Sequence, residues 1–323
     1  MLLNRLLRAG LLAAAALAAA ATGRSVPAYK GAISTDAGTG AVLFEQNADA
    51  ISPPASMTKL MTFAVLDDDL RKGALTLATP VTVTAEDAKV ASLKKSTEVW
   101  LRQGEVFTVE ELIYAMMIQS ANDAAYALAH KAGGTVKAFV AEMNAKALSI
   151  GMLRSKFQTP NGYPTRSHRI ADGDLTTPRD YAVLCRYLLL HTDILKYTSV
   201  KSRTFGAGVR LQPVLMRNHN NLLGKIPGVD GLKTGFTDGA GFCLAATAER
   251  GGHRVIVVMM DSPDSRTRDL NVQELITQAF VRLPVLAPTF KTVTAEVGAP
   301  ARPAPAPSPL PSDGPVIRLP GAR

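Results

Sequence analysis

The chain has 323 residues, 47% hydrophobic and 20% charged, with a formal net charge of +9. That composition belongs to a globular protein with a sizeable core and excludes a chain disordered throughout, while two cysteines exclude a disulfide-built scaffold. Part of the positive excess sits at the ends, no basic stripe is clustered elsewhere, and Trp100 is the only tryptophan, so a nucleic-acid platform is excluded as well.

Residues 1–23 read as a secretory leader. Arg5 and Arg8 precede an uncharged Ala/Leu run from Ala9 to Ala21, and small residues at Ala19-Ala20-Ala21 suit a signal peptidase. The run is shorter than the ~20 apolar residues a membrane span requires, so cleavage and export to the periplasm or cell-wall space are expected. A folded body follows over 27–290. It opens with a hairpin, Lys30 to Thr35 and Ala41 to Glu45, around Asp36-Ala-Gly-Thr-Gly40. A helix is expected just after Pro53-Pro54, carrying Ser56, Lys59 and the apolar Leu60, Met61 and Phe63. Thr108-x-x-Glu111 predicts a capping box, and Leu112, Ile113, Met116 and Met117 give the helix behind it one buried face. Helices at 123–131 and 136–150 follow. Cys185 falls in an apolar helical run and Cys243 in a strand-like one, which reads as two buried free thiols. Val229 to Thr237, Phe242 to Ala248 and Arg254 to Met260 are three strands, the last two joined at Glu249-Arg-Gly-Gly252. A final helix is expected over 269–283. Strands that neighbour one another in sequence predict an α+β fold, helices packed on an antiparallel sheet, and the first hairpin must join the late strands because a lone hairpin is barely stable. From Ala299 eight prolines fall between Pro300 and Pro320, so 298–323 reads as a disordered proline-rich tail with no amphipathic membrane anchor.

Three short patterns carry chemistry. Ser56 and Lys59, three apart at a helix start, share a face, and a serine hydroxyl becomes a nucleophile when a neutral lysine takes its proton. Burial or a second cation makes a lysine neutral. Ser120-Ala121-Asn122 follows the methionine-rich helix; by itself it reads as a polar helix end, with Asn122-Asp123 capping the next helix. Lys233-Thr234-Gly235 lies in a strand between Gly231 and Gly235. The order Ser-x-x-Lys, Ser-x-Asn, Lys-Thr-Gly is a far more specific signal than any one part.

With these motifs, and with Asp36-x-x-Thr39-Gly40-x-Val42-Leu43, Pro54 to Thr62 and Pro227 to Thr237 around them, the chain resembles the low-molecular-mass penicillin-binding proteins, the serine D-Ala-D-Ala carboxypeptidases. The resemblance implies the penicillin-binding protein/serine β-lactamase-like transpeptidase fold. It also implies roles: Ser56 as the acylated nucleophile, Lys59 as general base, Ser120 as proton relay to the leaving amine, and Asn122 as positioner of Lys59 and the substrate amide. Lys233 keeps Lys59 neutral. Thr234 of Lys233-Thr234-Gly235, with Arg217 and Arg268, holds the terminal carboxylate, and the backbone N–H groups of Ser56 and Phe236 form the oxyanion hole. The implied substrate is a peptidoglycan stem peptide ending in D-Ala-D-Ala, with β-lactams as covalent inhibitors and no cofactor. The loop Thr159-Pro160-Asn161-Gly162-Tyr163 departs from the family, carrying Asn161 where many carboxypeptidases place a histidine. A D,D-endopeptidase would use the same residues. A β-lactamase needs a deacylating glutamate after the second motif, and no acidic residue lies between Phe157 and Ala171. A non-catalytic wall-binding protein would show a broken motif. The five histidines form no local ligand pair, so no metal is expected.

Overall fold

The computed structural model describes residues 28–91, 96–165, 167 and 169–283; the leader, the proline-rich tail and His168 lie outside the described residues. The first hairpin is β1 (Gly31–Asp36) with β2 (Val42–Gln46), closed where Asp36 accepts the Thr39 N–H and Gly40 takes a φ of 79°. A single 3₁₀ turn at Ala55–Thr58 leads into α1 (Lys59–Arg71), so the helix after Pro53-Pro54 begins one tight turn later than expected. β3 (Pro80–Thr82) and β4 (Val106–Thr108) pair across α2 (Ala85–Val90), and α3 (Val109–Ile118), α4 (Asn122–Gly133) and α5 (Val136–Ser149) follow. α6 (Pro178–His191), α7 (Ile194–Thr198) and a second small hairpin, β5 (Ser202–Phe205) with β6 (Val214–Arg217), precede β7 (Val229–Thr237), β8 (Gly241–Arg250), β9 (His253–Ser262) and α8 (Ser265–Arg282).

The main sheet runs β2-β1-β9-β8-β7, antiparallel throughout. The first hairpin joins the late strands as expected, with Ala32 opposite Met259. The strand pattern explains the layers. Successive side chains point to opposite faces, so Val255, Val257 and Met259 of β9 bury against Val272, Ile276 and Ala279 of α8. Ile256, Val258 and Met260 bury on the other side, in one cluster with α1, α3, α4 and α6. β9 therefore reads as an unbroken apolar run, because helices cover both faces. Each of these side chains contributes about 1.5–3 kcal/mol by leaving water.

Local chemistry sets the helix starts. Thr84 and Asp87 form a reciprocal capping box at α2, while Thr135 and Thr177 cap α5 and α6. At α3 only half of the expected box forms: Thr108 accepts from the Glu111 N–H, but the Glu111 carboxylate turns outward to the Gly206 N–H and Arg203. α8 begins four residues before the expected start because Asp264 accepts from both the N–H and the hydroxyl of Thr267. Cys185 and Cys243 are both free and buried, packed as small apolar groups in the same core cluster.

Candidate active site

The site is built where three segments meet the 3₁₀ turn. Ala55 takes a left-handed φ of 49°, which turns half-buried Ser56 into the cavity behind it. Two glycines allow the neighbours to close in. A Cβ on Gly162, whose φ is 76°, would collide with the Ala55 carbonyl oxygen. A Cβ on Gly235 of β7 would lie 2.5 Å from the Pro54 oxygen and 3.2 Å from the Met57 nitrogen. Lys233-Thr234-Gly235 thus runs directly alongside the turn that carries Ser56.

Lys59, fully buried, is held by three oxygens: Asn122 Oδ1 at 2.7 Å, the Asn161 carbonyl at 2.8 Å and Ser56 Oγ at 3.0 Å. The proton count decides what these contacts mean. A neutral amine has two N–H donors and one lone pair. In the neutral form the amide and backbone oxygens, acceptors only, take both donors and leave the lone pair for the Ser56 hydroxyl, whereas an ammonium donates to Ser56 Oγ as well. Burial pushes Lys59 well below the ordinary lysine range, and the charge of Lys233 pushes it in the same direction. Lys233 is itself buried with a single hydrogen-bond partner among the described residues, the Thr234 carbonyl at 3.2 Å, and burial together with Arg268 pushes it down to about 7.

Ser120 sits at the end of α3 with a left-handed φ of 60° and lines the cavity. Thr97 holds it there, donating to the Ser120 carbonyl at 2.8 Å and accepting the Asn122 N–H on its own carbonyl at 2.8 Å. Asn122 does not cap α4 with its side chain: Oδ1 goes to Lys59, and Nδ2 donates to Ser96 Oγ at 2.8 Å. The buried Asp123 carboxylate accepts the N–H groups of Leu101 and Ala124, each at 2.9 Å, fastening the 97–101 segment to α4.

These groups open into a cavity of about 710 Å³ whose walls include Ser56, Ser120, Asn122, Thr234, Phe236 and Arg268. Ser56, Lys59, Ser120, Asn122, Lys233, Thr234, Gly235, Phe236 and Arg268 thus converge. Arg268 is buried and gives Nε and Nη2 to Asp269 Oδ1 at 2.9 and 2.7 Å, which leaves Nη1 for a second anion. Arg217 is not brought in: it is exposed on β6 and absent from the cavity wall. His219 stands at the mouth with part of its surface open. Dehydration of the ring is the main cause that pushes it down to about 4, with neighbouring positive charge, Lys233 first, acting in the same direction. The Asn161 backbone oxygen, Ser96, His219, Tyr163 and Asp174 belong to the site and were not assigned to it from sequence. The Thr159–Tyr163 loop was the one visible signal among them. Asn161 Oδ1 accepts the Tyr163 N–H at 3.0 Å, and its Nδ2 is buried with no partner among the described residues.

With that geometry in hand, a family model described as D-alanyl-D-alanine carboxypeptidase matches residues 13–264. The D-alanyl-D-alanine carboxypeptidase DacF of Bacillus subtilis is 31% identical over 251 residues, 78% of this chain and 62% of that one. DacC of Escherichia coli, of the same description, is 35% identical over 249 residues, 76% of this chain and 59% of that one. The chain therefore spans about 60% of the length of these curated relatives. Among solved structures, penicillin-binding protein D2 from Listeria monocytogenes in its ampicillin-bound form matches with a TM-score of 0.69 and 30% identity, covering 80% of this chain and 100% of that one.

Proposed function

We propose a reaction on a firm premise: the chain belongs to the D-alanyl-D-alanine carboxypeptidase family, with the fold of the low-molecular-mass penicillin-binding proteins. The reading is an exported serine D,D-carboxypeptidase that removes the terminal D-Ala from peptidoglycan stem peptides. The single observation that carries it is the Nζ of a buried Lys59 standing 3.0 Å from Ser56 Oγ beside an open cavity.

A stem peptide would place its terminal carboxylate between the Thr234 hydroxyl and Arg268. Ser56 Oγ attacks the penultimate D-Ala carbonyl as Lys59 Nζ takes the hydroxyl proton. The oxyanion is held by the backbone N–H groups of Ser56 and Phe236, donors worth ~3–4 kcal/mol each in comparable sites. The peptide C–N bond breaks, Ser120 passes its proton to the leaving amine and takes one back from Lys59, which is neutral again, and D-Ala departs. Water then adds to the Ser56 ester, giving its proton to Lys59, which returns it to Ser56 Oγ as the shortened peptide leaves. β-Lactams would stop at the ester, a reading supported by the ampicillin-bound Listeria relative. In the same reading, residues 1–23 are the leader that brings a 27–290 catalytic domain to the periplasm or cell-wall space, and 298–323 is a tail outside it.

The test is muropeptide analysis of peptidoglycan treated with the purified protein, with Ser56→Ala as control. Loss of pentapeptides with release of free D-Ala is the expected outcome. Loss of cross-linked dimers instead would make the enzyme an endopeptidase. An unchanged profile, with Ser56 unlabelled by penicillin, would overturn the proposal.

A further inference from the structure

Asp174 is the buried carboxylate closest in role to the site that the reaction does not use. It follows the last 3₁₀ turn before α6, at Ile170–Asp172, and Leu175 and Thr176 behind it pair with Lys156 and Ser52. Four donors converge on it. Oδ1 accepts the N–H groups of Gln158 at 2.6 Å and Thr159 at 2.9 Å, and Oδ2 accepts the hydroxyls of Thr58 at 2.7 Å and Thr159 at 3.0 Å. Thr58 is the residue before Lys59. Thr159 Oγ1 accepts the Gly162 N–H at 2.9 Å and so closes the turn in which the Asn161 carbonyl faces the Lys59 amine.

We propose that Asp174 is a positioning residue for the base: its carboxylate joins the Ser56–Lys59 turn to the 158–162 loop and fixes the oxygen that orients the Lys59 amine. The inference rests on the carboxypeptidase reading for its rate assay. A carboxylate has about four acceptor sites, and all four are taken, so Asp174 has no lone pair left to activate a deacylating water despite lining the cavity. The network alone does not require a charge, because an asparagine could accept both N–H groups on its oxygen and donate its NH₂ to the two threonine hydroxyls. The charge acts instead on Lys59. Among the described residues the charge of Lys233 on β7 pushes that amine down, and the charges of Asp174 and of Asp123 on α4 pull it up against burial. Tyr126 of α4 and Tyr181 of α6 are the titratable groups that face Asp174, and both are held neutral by burial, with its charge adding to the effect.

Asp174→Asn therefore separates charge from geometry. The full-length protein and the variant are acylated with fluorescent penicillin across pH 5 to 9, with melting curves recorded alongside. The plateau of the Asn variant should stay within about twofold of wild type, since the network is kept, and its acid limb should move to lower pH, because a charge that pulls Lys59 up is gone. Asp174→Ala, which also removes the acceptors, should lower the plateau itself by about tenfold or more. An unchanged plateau in a folded Ala variant, or an Asn plateau as low as that of the Ala variant, overturns the proposal. If the wild type takes no label, the carboxypeptidase reading fails by itself, and the NMR titration of Lys59 Cε, assigned with Lys59→Met, decides the inference: a lower midpoint in Asp174→Asn supports it, and an equal one overturns it.

Discussion

Replacing Lys233 by methionine should make the protein more stable while slowing acylation. Lys233 is buried, has one hydrogen-bond partner among the described residues, and is pushed by burial and by Arg268 from the ordinary 10.5 down to about 7. At 1.36 kcal/mol per pH unit, that difference corresponds to roughly 5 kcal/mol of penalty for protonated Lys233 in the native state. Below about pH 7 both states carry the proton and the full penalty is present. Between about pH 7 and 10.5 the unfolded chain binds more protons than the native one, so stability rises with pH across that window. Methionine fills similar space without a charge. Urea denaturation at a series of pH values should therefore find Lys233→Met more stable than wild type at pH 6 by a few kcal/mol, with the gap closing toward pH 10. The same variant should take up labelled penicillin more slowly at neutral pH, because Lys59 keeps its burial but loses the charge that adds to it in lowering the amine. A variant less stable than wild type at pH 6, or a gap that holds constant from pH 7 to 10, would refute the reasoning.

Lys59→Ala should slow penicillin acylation by about 10²–10⁴-fold, the usual range for a lost general base, while the protein stays folded by circular dichroism; labelling at the wild-type rate would remove Lys59 from that role. Gly162→Ala faces both a left-handed φ of 76° and a collision with the Ala55 carbonyl, so it should lose about 2–4 kcal/mol in chemical denaturation and its penicillin labelling with it. A wild-type midpoint would show that the loop is not locked against the turn. Burial pushes the Cys243 thiol up to about 12 and Cys185 higher still, so neither should react with a thiol reagent at pH 8 until urea unfolds the chain. Fast modification of the native protein would contradict their placement in the core.

The strands β7 to β9 and the first hairpin are legible because their patterns are local: an apolar run ending at Gly251-Gly252, or a turn built on Asp36 and Gly40, is stated within a few residues. The smaller sheets and α2 were not anticipated, since strands of three or four residues carry too little pattern to stand out. The side chains of the candidate site are legible for a different reason, as their residue types and order are distinctive. What surrounds them is not. The Asn161 carbonyl has no residue identity behind it, because any residue offers the same oxygen. Asp174 meets Thr58 across 116 positions of sequence, and nothing in either neighbourhood announces the contact. Arg217 shows the converse: an arginine at a suggestive spacing lies in an exposed strand outside the cavity wall.

The strand order has a consequence for how the chain comes to exist. β1 lies between β2 and β9, so the first strand to emerge from the ribosome has one edge that stays open until residues 255–260 arrive to pair with it. Pairing at that separation is slow compared with local helix formation, and a two-stranded ribbon is no stable resting point. The nucleophile's turn inherits the same delay, because the strand it leans on, β7, is also made late. A nascent chain stopped before β7 would hold Ser56 and Lys59 without the strand that lies against their turn. On the proposed reading, reactivity comes late in synthesis, and uptake of a labelled penicillin would count only chains that have closed this wall.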